Sequence, residues 1–433
     1  MDSTKKAEFA IKIPPQVEWI LKKLRDSGYE AFAVGGCVRD TILNRTPGDW
    51  DITTSAKPME VKAVFGKTVD TGLQHGTVTV IRDHVGYEIT TYRIDGEYED
   101  GRHPREVAFT SDLKEDLRRR DFTINAMAYS PETGLVDIFG GLEDLENRTI
   151  RCVGNAIERF TEDALRIMRA VRFASQLDFA IEEETYRALS GIAPNLAHVS
   201  KERIQVELTK TLLSGRPQGV MIMEDTGMSP YMTAGFPAIF SKAGESGINL
   251  EERLKRSAFL PREKSLRYAV FLGHLGEKGA CTILKELKLD NDTIRRVKTL
   301  VRFMEEALPG DGPSLRRMMS QMEDSLFDSL LLMRKTVFPD QMEDVRKTEA
   351  RCRSVRERGD CIRLKDLAVT GNDLIAAGMK PGKEMGERLR YLFELVLTEP
   401  ALNDRESLLK AAFDARKEQT DARPDHTEKN KIH

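Results

Sequence analysis

Apolar positions change their period about a third of the way along the chain. Early on they come in short runs or alternate with polar residues. Tyr29–Val34 is a largely apolar run ending in Gly35-Gly36, Asp49–Thr54 and Val85–Tyr92 alternate, and Gly76–Arg82 is rich in β-branched residues. A period of two puts every second side chain on one face of a strand, so these segments predict strands among short helices. From about Leu142 onward the spacing becomes i, i+3, i+4. Glu162–Leu177, Ser200–Leu213, Ser265–Leu275 and Thr293–Leu308 each predict a helix with one apolar face. The expected fold class is therefore α+β, a small mixed head followed by an all-helical extension. Pro/Gly punctuation at Ser214–Pro217, Leu308–Pro313 and Met379–Lys383 marks breaks in that extension. The polar, unpatterned stretch Asp421–His433 predicts disorder.

Composition narrows the setting. A chain of 433 residues exceeds what one core usually supports, and 40% hydrophobic residues suffice to bury several. No apolar run is long enough to span a membrane, and Met-Asp-Ser-Thr-Lys-Lys-Ala-Glu at the start has no signal-peptide core. The five cysteines are scattered and never form a CxxC pair, so reduced thiols and a cytoplasmic location are expected, with neither a disulfide frame nor a zinc site. A net charge of −3 excludes a global positive field, so any nucleic acid must meet a local basic surface.

Three blocks carry chemistry. In the first, Val34 closes a strand, Gly35-Gly36 turns, and Cys37–Leu43 predicts a helix whose first N–H groups can hold phosphate. Gly36 lets the backbone approach a ligand, and Arg39 lies in the first turn, where a guanidinium can clamp a triphosphate. Gly48-Asp-Trp-Asp-Ile52 follows. On a strand Asp49 and Asp51 share a face, and two adjacent carboxylates repel unless a cation sits between them. Hard oxygen ligands suit Mg²⁺. A bare acidic pair also fits a solvated strand end; the preceding glycine turn and arginine favour the metal.

The second block is Asp116-Leu-Arg-Arg-Arg-Asp-Phe-Thr-Ile-Asn-Ala126. Its three arginines fit a solvated basic turn, but the switch to an apolar segment predicts a helix over Phe122–Ala128 with Asp121 at its N-terminus. The third is Thr161-Glu-Asp-Ala-Leu-Arg-Ile-Met-Arg-Ala-Val-Arg-Phe173. Thr161 is the expected N-cap, and Asp163 and Arg166, three apart, share a helical face. Alone, that is a capped helix with an intrahelical ion pair. Yet cytosine and adenine both set an amino donor beside a ring-nitrogen acceptor, which a carboxylate and a guanidinium can match, whereas uracil and guanine reverse the order. Asp163 and Arg166 can therefore select C and A. Arg169 and Arg172 continue the stripe toward phosphate, or form a basic ridge.

Together these blocks resemble the signature of the DNA polymerase β nucleotidyltransferase superfamily. More narrowly, they resemble the class II CCA-adding enzymes and their relatives the bacterial poly(A) polymerases. The resemblance implies two Mg²⁺ ions on Asp49 and Asp51, with Glu88 the candidate third carboxylate. It also implies nucleotide contacts at Gly36, Arg39, Arg120, Asp163, Arg166, Arg169 and Arg172, a ribose contact at Asp121, and Glu162 as an orienting neighbour. CTP and ATP would be the substrates and tRNA the acceptor, gripped by its acceptor and T arms. A polymerase-β-like head (1–145), a helical neck (146–215), a body (216–330) and a tail (331–420) would follow one another, with 421–433 disordered. Tyr92–Pro104 resembles a loop that CC-adding relatives mostly lack, and Val69–Val78 is similar to the tRNA-directed branch. Addition of CCA is the expectation; addition of A alone beside a CC-adding partner, poly(A) synthesis, transfer to a small molecule and an inactive RNA-binding protein are the alternatives. No histidine precedes an aspartate, so an HD phosphohydrolase site is not expected. Past about residue 215 the motifs thin out, and Arg295, Arg296, Lys298, Arg302, Arg316 and Arg317 are candidate phosphate contacts or ordinary surface charges.

Overall fold

The structure, a computed structural model, describes residues 11–95, 107–241 and 248–421. The loop segment 96–104 and the tail from 422, for which expectations are given above, lie outside the described residues. The chain forms two compact units, 1–294 and 295–433.

Unit 1 is built on a seven-stranded sheet in the order β3-β4-β5-β2-β1-β8-β9. Its strands are β1 (Ala31–Val34), β2 (Ile52–Thr54), β3 (Thr68–Gly72), β4 (Thr77–Arg82), β5 (Val85–Thr91), β8 (Met127–Ser130) and β9 (Gly134–Asp137); β6 (Arg93–Asp95) and β7 (Val107–Phe109) form a separate ribbon. β1 lies mid-sheet, antiparallel to both β2 and β8, and all four of its residues are buried. Burial on both faces is why it reads as a run rather than an alternation. Helix α1 (Pro15–Asp26) packs against it through Val17, Ile20, Leu21 and Leu24, one helical face. β4 and β5 join through Asp83 and His84, both with positive φ, the two-residue turn whose twist suits a hairpin. β2 runs parallel to β5 with Ile52 opposite Ile89, and this register brings Glu88 up beside Asp51.

Three expected elements differ. The strand read over Asp49–Thr54 begins only at Ile52, although Val34 N–H still donates to the Asp51 carbonyl and extends the pairing. The helix expected over Phe122–Ala128 is a 3₁₀ turn, Thr123–Asn125, followed by β8. Short apolar runs do not distinguish a buried strand from a buried helix, and here Phe122 is extended and bridges Cys152. The single helix expected over Glu162–Leu177 is two. Helix α6 (Ala156–Glu162) ends at Asp163, whose φ of −143° and ψ of 102° leave the helical region, and α7 (Leu165–Leu177) restarts beyond it. Thr161 is not an N-cap; it closes α6, its hydroxyl donating to the Ile157 carbonyl.

Past Ile150 the described residues are helical except for a two-residue strand, Ala180–Ile181, paired with Thr149–Ile150. Helix α9 (Lys201–Leu212) packs along α7. The described residues of unit 2 form helices and connecting loops without a strand, around a core including Leu374, Leu392, Val396, Leu408 and Ala412. Its helix Asp324–Val337 runs across the expected boundary at 330/331. Arg316, a candidate phosphate contact, is instead buried there, donating to the Leu397 and Thr398 carbonyls and to Asp360.

Phe122 joins the sheet to the helices: it is fully buried, with its ring 5.7 Å from Phe173 of α7 at 81°. Phe122→Ala is expected to lower unfolding free energy by about 3–5 kcal/mol, measured by denaturant titration.

Candidate active site

Asp49 and Asp51 stand at the mouth of β2, both open to solvent at their tips. Partial burial by the surrounding protein, then the charges of Asp49 and Glu88, push the Asp51 carboxyl up to about 6, while Arg120 opposes them. The three carboxylates thus share one field, the condition a divalent cation relieves. Among the described residues no three His, Cys, Asp or Glu side chains are arranged to hold a metal unaided. Neighbouring carboxylates suit a hard cation that keeps water and takes further oxygen ligands from a substrate.

Arg120 closes the other side. A Cβ on Gly35, whose φ is +80°, would lie 3.1 Å from Arg120 Nη1, and one on Gly36 would lie 3.7 Å from Arg39 Nη2. The bare glycine turn thus lets both guanidinium groups close on the backbone. Asp116, fully buried, holds Arg120: it accepts from Arg119 at 2.9 Å, from Arg120 at 3.3 Å and from the Thr53 hydroxyl at 3.1 Å. These cations hold its carboxyl below the usual range despite burial. Arg120 Nε is buried and has no hydrogen-bond partner, a donor left for an anionic ligand.

Asp121 is the central acid. Its Oδ2 accepts from Arg169 Nε at 2.7 Å, and its Oδ1 accepts from Phe122 N–H at 2.9 Å and Asn125 Nδ2 at 3.1 Å. Burial raises its pKa, but Arg169, Asn125 and Arg166 outweigh it and hold the carboxyl down at about 2. Asn125 also accepts from Arg39 Nη1 at 2.6 Å, and Arg39 is pinned further by Asp40 at 2.8 Å and by the Phe173 ring. The sequence reading gave Asn125 no role, and Arg39 is held as a brace behind Gly36 rather than standing free as a clamp.

Arg166 N–H donates to the Asp163 carbonyl at 2.9 Å, while the two side chains reach out to other partners. Asp163 Oδ1 accepts from Leu165 N–H at 3.1 Å and its Oδ2 from Arg203 of α9 at 2.7 Å. Arg166 donates to Glu162 at 2.6 Å and to the Arg159 and Arg119 carbonyls at 2.9 and 3.1 Å. The intrahelical pair expected from their spacing is absent because the chain leaves the helix between them. Arg172 is corrected too: it is buried against Glu207 at 2.5 Å, lies 3.8 Å above the Phe173 ring, and ties α7 to α9 instead of reaching a phosphate. Arg203 and Glu207 went unread, although charges four apart beside Ile204 and Leu208 on an apolar helix face mark buried partners.

Matching this geometry, residues 31–151 fit the poly A polymerase head domain, 178–239 a probable RNA and SrmB-binding site of polymerase A, and 260–412 a tRNA nucleotidyltransferase domain. The CCA-adding enzyme of Enterococcus faecalis is 38% identical over 399 residues, covering 91% of this chain and 94% of its own; that of Limosilactobacillus reuteri is 39% identical over 401 residues, covering 92% and 96%. The chain belongs to the CCA-adding enzyme family. The Bacillus stearothermophilus CCA-adding enzyme, solved in complex with CTP, matches with a TM-score of 0.78 at 31% identity over 95% of this chain and all of its own. The Thermotoga maritima CCA-adding enzyme matches with a TM-score of 0.60 at 21% identity and shares the fold. Like the family, the chain is a nucleotidyltransferase, and such enzymes use divalent metal ions. No helix among the described residues is long and apolar enough to cross a membrane.

Two stability tests follow from this family member's buried charges. Arg172→Ala leaves Glu207 buried and unpaired and is expected to cost about 3–5 kcal/mol, whereas Arg172→Met with Glu207→Leu should regain most of it in denaturant titrations. Asp121 titrates at about 2 folded against 3.8 ordinarily, so the unfolded chain binds more protons. Its stabilisation of about 2 kcal/mol is complete above pH ~4 and fades toward pH ~2. Asp121→Asn should flatten that segment of the plot of unfolding midpoint against pH.

Proposed function

We propose that the chain adds C, C and A to the 3′ end of tRNA from CTP and ATP, without a nucleic-acid template, in the cytoplasm. The observation that carries this is the separation of Asp163 and Arg166. Each side chain is oriented by partners outside the pair, which supports reading them as an acceptor and a donor kept for a base. Arg166 acts on Asp121 and Arg120 acts on Asp51, which supports reading base selection, sugar contact and metal-binding acids as parts of one site. The two relatives and the CTP-bound neighbour support the same reading.

In this reading Asp49 and Asp51 hold Mg²⁺, with Glu88 alongside. The ion supplies charge neutralisation for the attacking 3′-oxygen and the departing pyrophosphate. The Gly35-Gly36 turn and Arg120 seat the triphosphate, with Arg39 bracing the turn. Arg169, oriented by Asp121, faces the sugar. Asp163, set by Arg203, accepts from the amino group of C or A while Arg166 donates to the ring nitrogen. U and G leave both groups mismatched, a cost of a few kcal/mol. Residues 1–145 serve as head, 146–215 as neck, and the helices beyond as body and tail gripping the acceptor and T arms.

The test offers purified protein a tRNA lacking CCA and one ending in CC, with each NTP and Mg²⁺. Both should be completed to CCA, with UTP and GTP disfavoured by about a hundredfold or more. Extension of the CC-ended tRNA alone, by a single A, would instead identify an A-adding enzyme. Asp163→Ala should erase most of the discrimination. Asp49→Ala, Asp51→Ala or a chelator should lower incorporation by about a thousandfold or more.

A further inference from the structure

The turn between the helices Leu250–Ser257 and Lys264–Leu272 presents Phe259 with 85% of its surface open, the most exposed large hydrophobic side chain among the described residues. A lone exposed apolar residue is ordinary. What lies beneath this one is not. Arg267 is 1% exposed and commits its guanidinium to the turn. Its Nη2 donates to the Leu260 carbonyl at 2.9 Å and the Ala258 carbonyl at 3.3 Å, its Nε to the Pro261 carbonyl at 3.4 Å and its Nη1 to the Ser257 hydroxyl at 3.4 Å. It pairs with no carboxylate among the described residues, and burial together with the nearby Arg262 brings its pKa down to about 10. A buried cation without a counter-ion is costly to keep, and here it fixes the backbone that displays the ring.

Three residues past Phe259, Arg262 lines a cavity of about 840 Å³ in whose wall Arg39 pairs with Asp40 and Arg216 with Asp178, which leaves Arg45, Lys210 and Arg262 as its excess positive charge. The whole chain has a net charge of −3, so this is a local basic surface of the kind a nucleic acid requires. The cavity reaches Arg39, hence the rear of the Gly35-Gly36 turn. An exposed ring on a braced turn, three residues from an arginine of that cavity, offers what an unpaired RNA strand needs: a π-face for a base and positive charge for phosphates.

We propose that the Ser257–Arg262 turn and this cavity form an RNA subsite, with an unpaired base of the tRNA stacked on Phe259 and adjoining phosphates held by Arg262 and its neighbours. The subsite rests on the tRNA reading above. The test compares the full chain with Phe259→Ala, Phe259→Trp and Arg262→Ala, measuring Kd for a tRNA lacking CCA across salt concentrations, and KM for tRNA and for CTP. Phe259→Ala should raise Kd and KM for tRNA about tenfold with the parent's salt dependence, and Phe259→Trp should keep both near the parent's values. Arg262→Ala should weaken binding and reduce the slope of log Kd against log salt by about one. KM for CTP at saturating tRNA should move less than twofold in each. A parent that binds and extends tRNA while Phe259→Ala stays within twofold of it overturns the subsite alone. Equal rises in KM for tRNA and CTP overturn it as well. A parent that neither binds nor extends tRNA overturns both readings.

Discussion

The site depends on a carboxylate that stays charged in the interior. Asp121 sits where the sheet meets the helices, and its two oxygens serve different elements: one holds Arg169 of α7, the other the 3₁₀ turn through Phe122 and Asn125. Asn125 passes the constraint to Arg39 and so to the glycine turn. Every group around Asp121 is placed for a negative charge there, and without it Arg169 and Asn125 lose their common reference. Asp116 plays the matching part for Arg119 and Arg120 on the strand side. Two buried acids thus position the cations of a cleft in which Asp49 and Asp51 stand nearer to water.

This division bears on what could be read from the sequence. The glycine turn, the Asp49/Asp51 pair and the apolar run of β1 were legible because each is local: neighbours in the chain become neighbours in space. The α+β class and the helical extension were legible for the same reason. Asn125, Arg203 and Glu207 were not, because their partners lie 86, 40 and 35 residues away. The helix expected over Phe122–Ala128 failed for a related reason. Its apolar residues fit either period, and pairing with β1 and β9 on either side decided for a strand.

Arg172 and Arg316 illustrate how misleading a basic stripe can be. The sequence offers each as a phosphate contact or an ordinary basic-surface residue, yet both are buried struts, one tying α7 to α9 and the other holding the end of a helix in unit 2. Periodicity tells which residues share a face, not whether that face meets solvent, substrate or another helix. Arg169, three positions before Arg172, keeps a third of its side chain accessible and remains beside the cleft.

The interruption between α6 and α7 has a wider meaning. In an unbroken helix Asp163 and Arg166 could satisfy each other across one turn, and their charges would be spent on one another. The main-chain break, with Arg203 and Glu162 as chaperones of the two charges, prevents this internal cancellation. One non-helical residue thus keeps two opposite charges three positions apart answerable to different parts of the fold, a separation that neither charge could secure by itself.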